Sequence, residues 1–256
     1  MDIEHFSLAL AFFGFCAGFV DATVGGGGLI LVPALMYAFP NQSIATIFGT
    51  NKITALAGAS SSALGYIQKV TIPWNLLLPT MLSAFIFAFL GALSVSLIPK
   101  AYMQYAVFFL LILMAIYTFS KKDLGQIHTT IQFGKKEIIL GIVFGALIGF
   151  YDGVFGPGSG SFLLFLFIKV FAFDFIHAVA SAKLVNIATF LAGLCFFIPT
   201  GHILWFTGIY LAISGAIGAF VGTRLAFKLG SKFIRIFFLI LLIFLIGRMG
   251  YELFFN

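Results

Sequence analysis

Charge is what this 256-residue sequence has least of: Asp, Glu, Lys and Arg make up 9% of it, against 62% hydrophobic residues, at a mean hydropathy of +1.16. That is too little polar surface to cover a water-soluble globule, so the chain is read as an integral membrane protein. Regular polar/apolar alternation is missing too, which excludes an outer-membrane barrel and leaves helices, the other way to satisfy every backbone group inside lipid. Met1-Asp-Ile-Glu-His5 lacks a basic n-region and a small-residue cleavage site, so the first apolar segment is expected to stay as a helix. The two cysteines, Cys16 and Cys195, fall inside apolar segments and are expected to pack. His5, His128, His177 and His202 have no company at metal-ligand spacing, and no Walker loop, Ser/His/Asp set or paired-cysteine motif occurs. No metal, cofactor or enzymatic chemistry is expected. The net charge of +6 is scattered over helix ends and short loops, where membrane topology accounts for it, so the expected surroundings are a lipid bilayer and not nucleic acid.

What is present is a duplication. Gly14-Phe-Cys-Ala-Gly18-Phe-Val-Asp21-Ala-Thr-Val-Gly25-Gly-Gly27 returns as Gly145-Ala-Leu-Ile-Gly149-Phe-Tyr-Asp152-Gly-Val-Phe-Gly156-Pro-Gly158, an offset of 131 residues. The same offset places Lys52 on Lys183, Trp74 on Trp205 and Gly91 on Gly222. An apolar unit that keeps an aspartate, a glycine-rich break and a lysine in register is the pattern of a transporter built from two structural repeats.

Five hydrophobic segments are expected per repeat, at about 5–24, 28–39, 44–68, 73–98 and 102–119, then at about 137–155, 160–172, 176–199, 204–229 and 233–254. The expected fold is an all-α polytopic membrane protein: a first repeat over 1–120, a cytoplasmic connector over 121–136, and a second repeat over 137–256. Four lysines against one aspartate put the connector in the cytoplasm, and Arg224, Lys228, Lys232 and Arg235 put the last interhelical loop there too. The loop around Pro99 and Lys100, its repeat-mate, is nearly uncharged. Equivalent loops on opposite sides require an odd number of crossings per repeat, hence inverted topology with both termini outside. If the short second segments only dip in and return, each half crosses four times and the repeats become parallel.

Lys52 lies roughly 12 Å into its segment by helical rise, near the middle of an apolar core about 30 Å thick. A charge at that depth costs about 2.5–3.5 kcal/mol, and Lys183 repeats the expense at the matching place. The lysines are therefore candidates to line a site, with structural ion pairing as the competing reading. Asn51 beside Lys52, and Asn186 one turn after Lys183, can turn an amide to the same cavity. Asp21 and Asp152, four residues before each break, either neutralise a lysine of their own or the other repeat, cap the broken helix, or relay a proton or cation coupled to transport.

The breaks themselves, Gly25-Gly26-Gly27-Gly28 and Gly156-Pro157-Gly158-Ser159-Gly160, offer free backbone N–H groups followed by a helix N-terminus, which suits an anion. The alternative is that these glycines only permit close packing. For Gly14, Gly18, Gly145 and Gly149 packing is the reading adopted. Trp74 and Trp205 open the fourth segments and are expected to be interfacial anchors.

The early Asp and glycine run before Leu29-Ile-Leu-Val-Pro33, then Gly49-Thr50-Asn51-Lys52, then the second copy with Asp152, Gly156 to Gly160 and Lys183, resemble the TauE/SafE family of sulfite exporters, also called the toluene sulfonate uptake permease family. The resemblance covers essentially the whole chain. It implies about eight helices in two four-helix halves and the transport of sulfite, sulfonates and other sulfur-containing or organic anions in either direction. In the second copy Ser181-Ala182-Lys183 replaces Thr50-Asn51-Lys52, so the two half-sites differ. The expected function is a multi-pass secondary transporter of the inner cell membrane, carrying small anions such as sulfur oxyanions by alternating access. An anion channel or a carrier of non-sulfur organic anions is the alternative. A coupling proton or cation and a homo-oligomer are both compatible with the sequence.

Overall fold

The computed structural model describes residues 3–95, 100–120, 134–229 and 231–255; most of the connector, Pro99, and the side chains of Lys232 and Arg235 lie outside the described residues. The described residues are helical with no strand: α1 (Ile3–Val24), α2 (Gly27–Ala38), α3 (Ile44–Ile67), α4 (Trp74–Val95), α5 (Lys100–Ser120), α6 (Lys135–Val154), α7 (Ser159–Lys169), α8 (Phe175–Phe197), α9 (Trp205–Leu229) and α10 (Ser231–Phe255). The expected all-α membrane fold is what is found. Ten helices take the places of the ten apolar segments, and α3 and α8, α4 and α9, and α5 and α10 begin 131 residues apart. Local chemistry fixes some of these starts. Ser43 Oγ accepts the Thr46 N–H ahead of α3, and Asp174 does the same for Ile176 and His177 ahead of α8.

Helix directions follow from which backbones touch. Gly218 and Gly222 of α9 lie against the carbonyls of Phe15 and Phe19 of α1, in the same order, so α1 and α9 are parallel. Gly145, Gly149 and Gly153 of α6 meet the carbonyls of Thr80, Ala84 and Ala88, so α6 and α4 are parallel too. Gly208 beside Ile53 and Thr223 beside Gly65 make α3 parallel to α9, whereas Gly49 against Phe197 and Lys52 against Gly193 and Phe190 make α3 antiparallel to α8. Where a glycine lies on a facing carbonyl, as on α9 and α6, the approach leaves no room for a Cβ, so the packing role expected for Gly14, Gly18, Gly145 and Gly149 fits their surroundings.

Since α1 and α3 point the same way, α2 must carry the chain back between them. It does: Gly27 sits beside Ala17 and Asp21, so α2 folds back onto α1. Twelve residues of α2 and eleven of α7 span roughly 16–18 Å at 1.5 Å per residue, about half the hydrocarbon thickness. The α1–α2 hairpin therefore covers only part of that thickness, and α7, equally short, follows the matching break after α6; three further helices complete each half.

Directions also sort the charges. The end of the bundle holding the C-termini of α3, α7 and α9 and the N-terminus of α6 carries Lys69, Lys169, Arg224, Lys228, Lys135 and Lys136. Among the described residues four helices are long and apolar enough to cross a membrane by length and composition, α4, α6, α8 and most of α9. Their outer faces are apolar stripes, such as Leu78, Leu82 and Ile86 on α4 and Ile209, Ile213 and Ile217 on α9, all exposed. Such stripes are stable against lipid tails and not against water. Trp74 and Trp205 open α4 and α9 half-exposed. Cys16 is buried as expected, while Cys195 faces outward on α8, because its position on the helix turns it from the core.

Candidate functional site

Lys52, Lys183, Asp21 and Asp152 form two ion pairs, and each pair joins the two halves of the chain. Lys52 Nζ donates to Asp152 Oδ2 at 2.7 Å and to the Asp152 carbonyl at 2.8 Å. Lys183 Nζ donates to Asp21 Oδ2 at 2.6 Å and also to the Asp21 carbonyl. Each lysine thus spans from the middle of a long helix (α3 or α8) to the end of the first helix of the opposite half. A buried charge is tolerated only when paired and hydrogen-bonded, and this arrangement supplies both.

The two pairs are not equivalent. The Lys52 and Asp152 side chains are 2% and 0% exposed, Ser159 Oγ donates to Asp152 Oδ1 at 2.5 Å, and Lys52 lies 4.9 Å from the Phe190 ring centroid. Asp21 is 12% exposed, and its Oδ1 accepts the Gly27 N–H at 3.3 Å. Each aspartate therefore both neutralises a lysine and ties down its own glycine break.

The breaks cross one another. Gly25 (φ +76°), Gly156 (φ +80°) and Gly158 (φ +85°) adopt the left-handed conformation that glycine tolerates. Gly25 packs on the backbone of Gly160, and Gly28 lies near Pro157 and the Asn51 amide. Tyr151 donates to the Pro157 carbonyl at 2.6 Å and Ser161 donates to the Val24 carbonyl at 2.7 Å, stapling the second break to its own helix and to the first half.

Where the breaks cross there is a cavity of about 30 Å³, counted as space open to the centre of a water molecule. One water needs roughly 10–15 Å³ on that measure, so the space admits a very small solute or about two waters. Its floor and rim are Gly25, Gly27, Gly28, Gly156, Gly158, Ser159 and Gly160, with Asp21, Asn51 and Asn186 on the walls. Both polar atoms of Asn186 are buried with no hydrogen-bond partner among the described residues, and so is Thr54 Oγ1, also on the wall.

The chain matches the sequence profile described as "Sulfite exporter TauE/SafE" over residues 10–249. The chain belongs to the TauE/SafE family. It is 35% identical over 237 residues to "Probable membrane transporter protein ORF9" of Sinorhizobium sp, covering 91% of this chain and 88% of that protein. It is 32% identical to "Probable membrane transporter protein YfcA" of Escherichia coli K12, covering 88% and 82%, and 31% identical to a "Probable membrane transporter protein" of Haemophilus influenzae, covering 98% of each. No solved structure matches. The chain is thus a membrane transporter of the TauE/SafE family, with small molecules as its substrates.

In this TauE/SafE protein most sequence-selected residues meet at one place, but not all in the expected role. Lys52 and Lys183 do not line the cavity; each is turned to the aspartate of the other half. Asp152 is likewise enclosed. Gly26 caps α2 through its carbonyl, which accepts the Leu29 N–H at 3.0 Å. The remaining wall is Gly18, read from the sequence as a packing glycine, with Ala17, Leu31, Thr54, Ala55, Gly58 and Phe190, which sequence reasoning passed over. Ala17, Ala55 and Gly58 are small and apolar and carry no chemical signal, but the 131-residue offset holds one. It pairs Ala17, Ala55 and Gly58 with Ile148, Asn186 and Thr189, so the first half leaves room where the second fills it. His177 bonds Asp174 and His202 approaches Thr46, and among the described residues no cluster could hold a metal ion.

Proposed function

We propose that this transporter moves small anions, sulfur oxyanions or organosulfonates in the first place, by alternating access at the crossing of its glycine breaks. One observation carries the reading: a cavity between the halves is walled by glycine backbone, a helix N-terminus and an unpartnered amide, flanked by two ion pairs that each join the halves. Helix N-termini and N–H groups favour negative charge, and Gly160 N–H, in the first turn of α7, has no hydrogen bond among the described residues. The lysines add reserve positive charge that an entering anion can draw from its aspartate.

The halves act as inverted repeats in this proposal, supported by the antiparallel course of α3 and α8. In this reading α1 and α6 turn back together with the short helices instead of crossing on their own. Each half thus contributes a re-entrant hairpin and three crossings, not the four expected of a dipping second segment, and this odd number places both termini outside. The basic end of the bundle, with Lys69, Lys135, Lys169 and Lys228, then faces the cytoplasm. Rocking one half against the other strains both ion pairs together, so substrate and ion pairs compete for the same lysines.

A thermal-shift screen of the purified protein against sulfite, thiosulfate, sulfate, sulfoacetate, taurine and lactate tests the substrate class. Saturable stabilisation by at least one sulfur anion is expected. No response to any anion, from a protein that melts cooperatively, overturns it.

A further inference from the structure

An anion site made only of donors accepts any oxyanion of the right size. This cavity is different, because it also presents acceptors. Asn186, 1% exposed, has both its Nδ2 and its Oδ1 without a partner, and the Thr54 hydroxyl can accept as well as donate. Asp21 adds a carboxylate to the same wall. A fully ionised oxyanion brings acceptors only. It satisfies the amide N–H groups but leaves Asn186 Oδ1 unpaired and sets negative charge against Asp21, and both cost free energy in a buried site.

From this we infer that the site selects a singly charged oxyanion that still carries an O–H, the hydrogensulfite class, over the dianion of the same shape. The inference rests on the anion reading above. The ligand's ionised oxygens take the Asn186 and glycine N–H groups, and its hydroxyl donates to Asn186 Oδ1 or to Asp21. The proton then crosses the membrane on the substrate itself, and no side chain of the site has to titrate. Among the described residues Lys183 from α8 is the ion-pair partner of Asp21, while Lys52 of α3 is held by Asp152 and Arg224 of α9 is turned onto the Phe220 ring. The selectivity also has a place in sequence, since the 131-residue offset puts Ala55 opposite Asn186, so one half alone supplies the hydroxyl-reading amide.

Calorimetric titration of the purified full chain with sulfite and with sulfate, at pH values on both sides of the second ionisation of sulfurous acid, tests this. Sulfite passes from hydrogen anion to dianion near neutral pH, while sulfate remains a dianion throughout. The expected result is tight sulfite binding on the acid side, an affinity falling about tenfold per pH unit once the hydrogen anion is the minor form, and sulfate weaker at every pH. Asn186→Leu should flatten the difference between the two anions. Equal affinity for both, or a sulfite affinity that does not move with pH, overturns the inference while leaving the anion site standing. An Asn186→Leu protein that folds and keeps the full preference overturns the role of the amide. If neither anion binds at any pH, the anion reading falls and this inference with it.

Discussion

Lys52→Met tests the pairing of charges between halves, and its cost can be worked from the geometry. The substitution removes the Nζ that contacts both Asp152 Oδ2 and the Asp152 carbonyl, and leaves a carboxylate at 0% exposure with Ser159 Oγ as its remaining side-chain donor. Breaking a buried pair on one side costs about 3–5 kcal/mol, which at about 2–4 °C per kcal/mol for a chain of this size is a fall in Tm of roughly 6–20 °C. Adding Asp152→Asn removes the stranded charge, so the double variant should recover part of that loss. Adding Asp21→Asn instead strands a second charge, Lys183, and the losses should add or worsen. The two double-mutant cycles, read by thermal melting in one detergent, therefore give coupling energies that differ by about 1–3 kcal/mol. Recovery by Asp21→Asn in place of Asp152→Asn would mean that each lysine pairs within its own half, and would refute the cross-half arrangement.

Other outcomes follow from the same contacts. Asp152→Asn should destabilise more than Asp21→Asn, by about 1–3 kcal/mol, because the enclosed carboxylate also loses its charge-assisted bond from Ser159; paired melting curves check it. Gly158→Ala forces a Cβ into φ +85°, costing about 1–2 kcal/mol, and should weaken anion binding as well, whereas Gly149→Ala pushes on the Ala84 carbonyl and should lower Tm with affinity unchanged. Affinity measured beside Tm separates the two. In a background with Cys16 and Cys195 replaced by alanine, cysteine at Thr200 should react with an impermeant thiol reagent in intact cells, while cysteine at Lys69 or Lys169 should react only after permeabilisation. Labelling of all three in intact cells contradicts the inverted topology.

Much of the fold was legible because lipid makes hydrophobic length an honest signal of helices. Boundaries such as Ile44 and Phe175 coincide with a polar N-cap, and the glycine faces of α1 and α6 announced close packing. The α1–α2 hairpin was not legible. A short apolar segment after glycines looks the same whether it continues across the membrane or doubles back, and only the contact of Gly27 with Ala17 decides it. The cost of burying Lys52 and Lys183 signalled that partners exist, and among the candidates the sequence offered were aspartates of the same or the other repeat. The choice of the distant one is a property of the three-dimensional crossing, 100 residues apart in the chain. The cavity wall escaped notice for a different reason, since Ala17, Ala55 and Gly58 contribute by being small.

The account rests on passage of an anion through the crossing of the glycine breaks, and proteoliposome counterflow measures that directly. Vesicles holding purified protein and loaded with unlabelled sulfite should accumulate labelled sulfite transiently and saturably, with Gly158→Ala and Lys183→Met vesicles reduced about tenfold or more and Gly149→Ala vesicles close to wild type per folded molecule. Accumulation no greater than in protein-free vesicles, or wild-type rates from Gly158→Ala and Lys183→Met, would contradict it.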